Sequence, residues 1–203
     1  MLIIGLTGSI GMGKSETAKM FARAGIAVCD SDALVHQLYE RGGAAVLPVT
    51  ALFPDAFVDG KIDRVALSRL VIGKPDEIGK LERIVHPLVG QAQRDFLLAQ
   101  ANSGAEMVVL DIPLLLEASG PKRVDVVVVV SAPAVVQRSR VLARSGMTLE
   151  KFEAIVKKQV PDEIKRSQAD FVIDTSQGIE HAENQVKSVI EKLRGRKSEI
   201  WKN

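Results

Sequence analysis

The sequence predicts an α/β fold built around a five-stranded parallel β-sheet. Five short runs are apolar throughout rather than alternating, which is typical of strands buried on both faces. Segments with helical periodicity lie between them. The length of 203 residues, with 46% apolar and 26% charged residues, is typical of one globular domain that can carry a small insertion. The predicted strands are LIIGLT (2–7), IAVCD (26–30), MVVLD (107–111), VDVVVVVS (124–131) and DFVID (170–174).

Helical patterns follow the first and fourth of these strands and close the chain. Three kinds of residue indicate where these helices begin and end: a proline near the first turn, a threonine as N-cap and a glycine after the last turn. The predicted helices cover residues 14–24, residues 133–145 between Pro133 and Gly146, residues from Thr148 to about Val160 before Pro161, and an amphipathic C-terminal helix marked by Ile179, Ala182, Val186, Val189, Ile190 and Leu193.

One connection is too long for an ordinary crossover, since about 75 residues separate the strands near positions 30 and 107. It contains helical spacings of its own, and Asp63 is placed to cap one of its helices. The pair His86–Pro87 is expected to break or kink the last of them. We interpret this segment, residues 31–104, as a mostly helical insertion at the carboxyl edge of the sheet, where open α/β sheets bind ligands.

Composition limits the classes of function. The net charge of +2 is too small to predict a nucleic-acid or membrane surface, and one Trp and one Tyr offer little for stacking on bases. No apolar run approaches the roughly 20 residues of a transmembrane helix. The single cysteine, Cys29, allows no intrachain disulfide, which fits a reducing compartment and predicts a cytoplasmic protein.

The segment GSIGMGKS (8–15) matches the phosphate-binding pattern G-x-x-x-x-G-K-[ST] and lies between a predicted strand and a predicted helix. Glycines let successive backbone N–H groups approach a phosphate, and the helix adds its positive end. Lys14 supplies a mobile charge for the β- and γ-phosphates, and Ser15 supplies a hydroxyl ligand for Mg²⁺. Glu16 follows, and its backbone N–H can reach the α-phosphate. The pattern therefore predicts nucleotide binding.

Three classes of nucleotide protein compete. A regulatory GTPase should carry an Asn-Lys-x-Asp guanine motif, and the sequence has none. A transporter-type ATPase should show Asp-Glu after its apolar strand and a Ser-Gly-Gly signature, but Ile112 follows Asp111 and no such signature is present. A small-molecule kinase needs an acceptor pocket, a base and mobile cations. The long insertion, the carboxylates at positions 30 and 32 and the later arginines favour a kinase.

Several of these residues have both a functional and a structural interpretation. Asp30 and Asp32 end the second strand, at the same rim as the glycine loop if the sheet is parallel, and either can orient an acceptor hydroxyl or cap the next helix. Arg140 and Arg144 are spaced to share a helical face and clamp a triphosphate, and solvent exposure is the alternative. Lys165 and Arg166 add to a lid or to the surface. His86 contacts the acceptor or is structural.

The combination of motifs resembles the dephospho-CoA kinase family over essentially the whole chain. The matching segments are IGLTGSIGMGKS, AVCDSDALVHQL, GKIDRVALSRLV, LERIVHPLV, LDIPLLLE, QRSRVLARSGMT and KKQVPDEIKRSQADFVID. The glycine loop is shared by many nucleotide-binding proteins. The combination with Asp-x-Asp, Leu-Glu-x-x-x-His-Pro, Pro-Leu-Leu-x-Glu and the Gln…Arg…Arg run is much more specific.

The resemblance implies a P-loop NTPase three-layer fold of the nucleoside-kinase type, with a core of residues 1–30, 105–135 and 168–203, the acceptor-binding insertion 31–104 and a helical lid over 136–167. It implies transfer of the ATP γ-phosphoryl group to the ribose 3′-hydroxyl of dephospho-CoA. Both substrates are small molecules, and Mg²⁺ accompanies ATP. Another small-molecule kinase and a nucleotide-switched binding protein remain the alternatives.

The resemblance also implies roles for individual residues. Asp32 is the catalytic group facing the 3′-hydroxyl, together with Lys14 and Arg140. Ser15 is the magnesium ligand, with Asp111 contributing through water. The chain departs from the family pattern at Glu16, Ile72, Leu116 and Thr175, and the last of these lies near the expected adenine edge. The ATP-binding residues are Gly11, Met12, Gly13, Lys14, Ser15, Glu16, Arg140 and Arg144, and the acceptor side is formed by Asp32, His86, Pro113, Leu114 and Glu117.

Overall fold

A computed structural model describes residues 1–117 and 123–201 of the chain. Seven strands and nine α-helices are found in this part, with one short 3₁₀-helix at Pro54–Ala56. In chain order they are β1 (Leu2–Thr7), α1 (Lys14–Arg23), β2 (Ala27–Asp30), α2 (Ser31–Tyr39), α3 (Val46–Leu52), β3 (Phe57–Val58), β4 (Lys61–Ile62), α4 (Arg64–Val71), α5 (Pro75–Asn102), β5 (Met107–Asp111), β6 (Val126–Ser131), α6 (Ala134–Leu142), α7 (Leu149–Val156), α8 (Asp162–Ser167), β7 (Phe171–Asp174) and α9 (Ile179–Leu193).

The chain divides into two compact units. The first joins Met1–Cys29 to the chain from Gln100 onward, and the second is Asp30–Ala99. The first unit carries the main sheet, whose five strands follow the order β2-β5-β1-β6-β7. Strand β1 pairs in parallel with β5 and with β6, and β6 pairs in parallel with β7. The predicted five-stranded parallel sheet is therefore confirmed.

Both faces of the sheet are buried, as the continuous apolar runs predict. On one face Leu2, Ile4 and Leu6 of β1 form a core with residues of α1 and α9, among them Phe21 and Val186. Side chains that alternate with them along the strands, such as Ile3, are also excluded from solvent. The central strand β1 is thus fixed on both faces and along both edges, and the loop that follows it starts from a rigid base.

The second unit is mainly helical. Its core packs side chains from α2, α3, α4 and α5 around the small antiparallel hairpin of β3 and β4. The Asp63 side chain caps α4 as predicted, because its Oδ1 accepts a hydrogen bond from the Ala66 N–H at 2.8 Å. The central members of this core are Tyr39, Val46, Val49, Phe53, Ile62, Leu67, Val71 and Val85.

The structure differs from the sequence prediction at three helix boundaries. Helix α5 continues through His86–Pro87 without the expected break. A proline removes only one backbone hydrogen bond, and the neighbouring Val85 is buried in the core of the second unit. Helices α6 and α7 end earlier than expected, at Leu142 and Val156. The residues that follow form hydrogen bonds to the carbonyl three residues earlier, as from Arg144 N to Val141 O, which is the pattern of a 3₁₀ turn and not of an α-helix.

Candidate active site

The phosphate-binding loop connects the end of β1 at Thr7 to the start of α1 at Lys14. Gly11 and Gly13 adopt positive φ angles of 79° and 97°, a conformation that favours glycine. A Cβ atom at Gly11 would in addition overlap the Val141 side chain of α6. The sequence pattern thus corresponds to real backbone requirements, and the N–H groups at the start of α1 face the position where an anion binds such loops.

Three neighbouring segments hold the backbone of this loop. Gln137 of α6 donates from Nε2 to the Ile10 carbonyl at 2.8 Å, and the Ile10 N–H donates to Gln159 Oε1 at 3.1 Å. Thr175, just after β7, donates from Oγ1 to the Met12 carbonyl at 2.7 Å. Because these bonds fix carbonyl and amide groups on the outer side of the loop, its conformation is set before a nucleotide binds.

Lys14 and Asp111 form an ion pair at the carboxyl ends of two neighbouring strands. The Lys14 ammonium contacts Asp111 Oδ1, and the Asp111 side chain is only 3% exposed. Strands β1 and β5 pair with Leu6 opposite Asp111, which brings the loop lysine and the strand-end carboxylate together. The sequence assigns Lys14 to the phosphates and Asp111 to magnesium, and the contact between the two residues is a finding of the structure.

The donor chemistry at this rim fits a hydrated magnesium ion. Ser15 is exposed at the start of α1 and offers a hydroxyl oxygen, and Asp111 offers a carboxylate. Mg²⁺ prefers such hard oxygens and keeps most of its waters and phosphate ligands in nucleotide sites, so one or two protein ligands suffice. Within residues 1–117 and 123–201 no group of three or more His, Cys, Asp or Glu side chains forms a closed metal site.

Glu16, which departs from the family pattern, is engaged on the surface of α1. Lys19 donates to its carboxylate at 2.7 Å, and this hydrogen bond and charge hold the pKa of the Glu16 carboxyl below its usual value. The side chain therefore pairs within the helix, while its backbone N–H in the first turn of α1 keeps the position that the phosphate-loop pattern requires.

The two aspartates of the second unit separate into different roles. Asp30 is the N-cap of α2, and its Oδ1 accepts hydrogen bonds from the N–H groups of Asp32 and Ala33 at 2.9 and 3.1 Å. Asp32 lies in the first turn of α2 and is exposed. In the described part of the chain its carboxylate has no hydrogen bond or ion pair, so it is the member of the pair that is open to a ligand.

His86, predicted on the acceptor side, lies on α5 and is exposed, with Pro87 following it inside the same helix. Its place on a regular helix fixes the direction of the imidazole relative to its own unit. Two of the other acceptor-side residues belong to the segment after β5. Pro113 is half-buried and its carbonyl accepts a hydrogen bond from Thr7 Oγ1 at 3.1 Å, and Leu114 is 48% exposed.

Arg140 and Arg144 differ in their surroundings. Arg140 is half-buried and donates to Thr175 twice, from Nη1 to Oγ1 at 2.8 Å and from Nη2 to the carbonyl at 2.7 Å. Arg144 lies in the turn beyond α6 and is exposed, so the two arginines do not share a face of one continuous helix. In this conformation Arg140 supports the loop through Thr175, and Arg144 faces solvent.

Glu117 is the most enclosed residue of the predicted acceptor side. Its Oε1 accepts a hydrogen bond from the Val160 N–H at 3.0 Å and lies 2.7 Å from Lys165 Nζ. Lys165 is completely buried, so the interpretation of this lysine as a surface residue is wrong. No spacing in the sequence identifies the pair, because the two residues lie far apart in sequence.

A cavity of about 460 Å³ adjoins the outer side of the phosphate loop at Met12. Its lining combines four charged residues, Asp162, Glu163, Arg166 and Asp174, with smaller and apolar residues. Among the predicted site residues only Met12 reaches it. Its lining comprises Met12, Ser131, Ala132, Pro133, Ala134, Gln137, Asp162, Glu163, Arg166, Val172 and Asp174.

None of the helices in the described ranges is long and apolar enough to cross a membrane.

The family model for dephospho-CoA kinase matches residues 2–181. The chain is 55% identical over 197 residues to the dephospho-CoA kinase of Mesorhizobium japonicum, which covers 97% of this chain and 99% of the relative. It is 51% identical to that of Rhodopseudomonas palustris strain HaA2, covering 94% and 95% of the two chains.

Solved structures share the fold of this chain. TT1252 from Thermus thermophilus superposes with a TM-score of 0.78 at 38% identity and covers 96% of this chain and 98% of its own. The dephospho-CoA kinase from Campylobacter jejuni has a TM-score of 0.64 at 22% identity, covering 94% and 96%, and shows the shared fold. A family model that spans most of the chain and relatives above 50% identity over nearly full length lead to one assignment: the chain belongs to the dephospho-CoA kinase family.

Proposed function

We propose that this chain transfers the γ-phosphoryl group of ATP to the ribose 3′-hydroxyl of dephospho-CoA. The observation that carries the proposal is the glycine loop between β1 and α1, braced from three sides and completed by Lys14, in a chain of this family. The chain has one cysteine, Cys29, and therefore no intrachain disulfide, which supports the cytoplasm as the proposed location.

The phosphate loop would bind the ATP tail through backbone N–H groups from Gly11 to Glu16. Phosphoryl transfer passes through a loose transition state in which negative charge spreads over the γ-phosphoryl oxygens, so positioning and fixed positive charge do most of the catalysis. Lys14 is poised for this task, since its ammonium is held at the end of β1 by Asp111. When the phosphates arrive they compete with Asp111 for the same charge.

Mg²⁺ would be held by the Ser15 hydroxyl, with Asp111 acting through water, and it would neutralise charge on the β- and γ-phosphates. Arg140 and Arg144 are proposed to lie on the ATP side. The Arg140 guanidinium already contacts Thr175 next to the loop, which supports a role in holding the loop and its ligand, and the exposed Arg144 has the freedom to approach the triphosphate.

Asp32 is proposed as the group that orients the acceptor hydroxyl and accepts its proton. The different contacts of the two aspartates support this role, because the Asp30 carboxylate caps α2 and the Asp32 carboxylate does not. His86, Pro113, Leu114 and Glu117 are proposed to complete the acceptor side.

The Asp32 role has a matched test in the neighbouring aspartate. We expect Asp32→Asn to lower kcat at saturating substrates by about 10²- to 10⁴-fold, the usual contribution of a general base. Asp30→Asn makes the same chemical change, but asparagine caps helices as well as aspartate does, so kcat should stay within about threefold of wild type. Near-normal turnover of Asp32→Asn would end the proposed role.

The choice of acceptor is tested by a panel in which release of ADP is coupled to a spectroscopic signal. Dephospho-CoA should stimulate ADP release far above the rate without acceptor, whereas nucleoside monophosphates and shikimate should not. Preference for one of those compounds would identify another small-molecule kinase. Slow ATP hydrolysis that no acceptor changes would instead favour a nucleotide-switched binding protein.

A further inference from the structure

The segment Gln159–Lys165, which runs from the connection after α7 into α8, contacts residues at or after the ends of three strands. Gln159 accepts from the Ile10 N–H of the phosphate loop, and Asp162 accepts from Ser131 Oγ at 2.6 Å, just at the end of β6. Lys165 pairs with Glu117 after β5. The segment Gln159–Lys165, which the sequence assigns to the lid, therefore contacts the chain at or after the ends of three neighbouring strands, β5, β1 and β6.

The contact between Lys165 and Glu117 differs from the other two because both groups are ionisable and enclosed. The Lys165 side chain is 0% exposed and the Glu117 side chain 12% exposed, with 2.7 Å between Nζ and Oε1. Glu117 Oε2 is buried and has no hydrogen-bond partner within the described residues. Besides the Val160 N–H, the Lys165 ammonium is therefore the group that balances this carboxylate.

A buried carboxylate that loses its cation does not keep its position. Removing one member of a buried ion pair leaves a desolvated charge, which is strongly unfavourable, so the remaining group moves towards water or rearranges its backbone. Glu117 closes the segment that begins at Pro113 and Leu114. A displaced Glu117 would thus carry the predicted acceptor-side residues with it, while the phosphate loop would keep its own bonds to Gln137 and Thr175.

We propose that Lys165 is a positioning residue for the acceptor: its ammonium fixes the Glu117 carboxylate and thereby the conformation of residues 113–117 that dephospho-CoA binding requires. This inference rests on the function proposed above. It gives a residue of α8, within the predicted lid of residues 136–167, a role on the acceptor side of the reaction.

A double-mutant cycle tests the inference by steady-state kinetics. We expect Lys165→Met to raise the KM for dephospho-CoA by about tenfold or more, with the KM for ATP changed by less than about twofold. In a Glu117→Gln background the same substitution should change the KM for dephospho-CoA by less than about twofold, because the group through which Lys165 acts is already neutral. A purely structural role would raise both KM values together.

The matched control is Arg23→Met, which breaks the exposed Arg23–Glu183 pair between α1 and α9 at 3.5 Å and should leave both KM values within about twofold. If Lys165→Met does not fold, Glu117→Gln, which leaves the Lys165 ammonium unpaired, is compared with the double variant, which buries no unpaired charge. A difference of more than about twofold between their KM values for dephospho-CoA overturns the inference. An active wild type and a Lys165→Met variant with unchanged KM overturn it as well. A wild type that does not phosphorylate dephospho-CoA overturns the proposed function and, with it, this inference.

Discussion

Thr175 shows how one residue connects the strand edge to the nucleotide loop. Its hydroxyl donates to the Met12 carbonyl and accepts from Arg140. A Cβ atom added to Gly13 would lie only 3.1 to 3.3 Å from the side-chain atoms of Thr175. The resemblance to the family predicts that this position departs from the family pattern near the expected adenine edge. In the structure the threonine is buried against the outer side of the loop, so its first effect is on loop geometry.

Thr175→Val keeps the shape of the side chain and removes the hydroxyl. We expect a loss of about 1 to 2 kcal/mol in the free energy of unfolding, because the Met12 carbonyl and one Arg140 N–H lose a partner, and a KM for ATP that rises more than the KM for dephospho-CoA. Thr175→Ser retains the hydroxyl and is the control. Calorimetry and initial rates measure both effects, and wild-type values for the valine variant would contradict this account.

For individual residues, the sequence predicts the chemical role of a side chain better than its contacts with residues that are distant in sequence. Lys14, Ser15 and the glycines follow from a pattern whose spacing reflects backbone geometry, and Asp63 follows from local capping rules. Thr175, Gln137 and Lys165 act through contacts between residues that are distant in sequence. No local rule reports which polar side chain is buried by such a contact, and this is why Lys165 was assigned to the lid or the surface.

Helix starts carry more information than helix ends. The N-caps Asp63 and Thr148 were placed correctly because a side chain one residue before the helix bonds to a defined N–H. The ends of α6 and α7 depend on where a turn tightens, and Gly146 and Pro161 mark the last position that a helix can reach rather than the position where it stops. The continuous α5 shows that packing can override one proline.

The cap of α4 gives a prediction for an element of the second unit. Asp63→Ala removes the acceptor for the Ala66 N–H, and we expect a loss of about 1 kcal/mol in the free energy of unfolding. Asp63→Asn and Asp63→Ser retain a capping oxygen and should stay within about 0.5 kcal/mol of wild type. Urea denaturation followed by circular dichroism measures these differences; equal midpoints for the alanine and asparagine variants would show that the cap has no energetic role.

The fold class can be predicted from the sequence because the sheet is buried on both faces. Runs such as VVVVVS in β6 are too short and too β-branched for helices, so strand type and parallel sheet follow from physical rules. Strand order does not. That β1 lies between β5 and β6 depends on the crossover connections, which the strand patterns do not report.

Binding of ATP should stabilise the folded chain as a whole. At a free ATP concentration near 100 times Kd, mass action adds about 2.7 kcal/mol, which corresponds to a rise in Tm of roughly 5 to 11 °C for a chain of this size. Lys14→Ala should remain folded by circular dichroism, lose most of this shift and lose phosphoryl transfer. Full activity of that variant, or an equal shift in Tm, would contradict the role of the lysine.

The complete burial of Lys165 has a consequence for the chemistry of the protein surface. An amine-modifying reagent dissolved in water can acylate the many lysines on the outside of the molecule, but it reaches this one only after the segment around α8 has opened. The extent of labelling at Lys165 therefore reports how often the region around α8 unfolds locally.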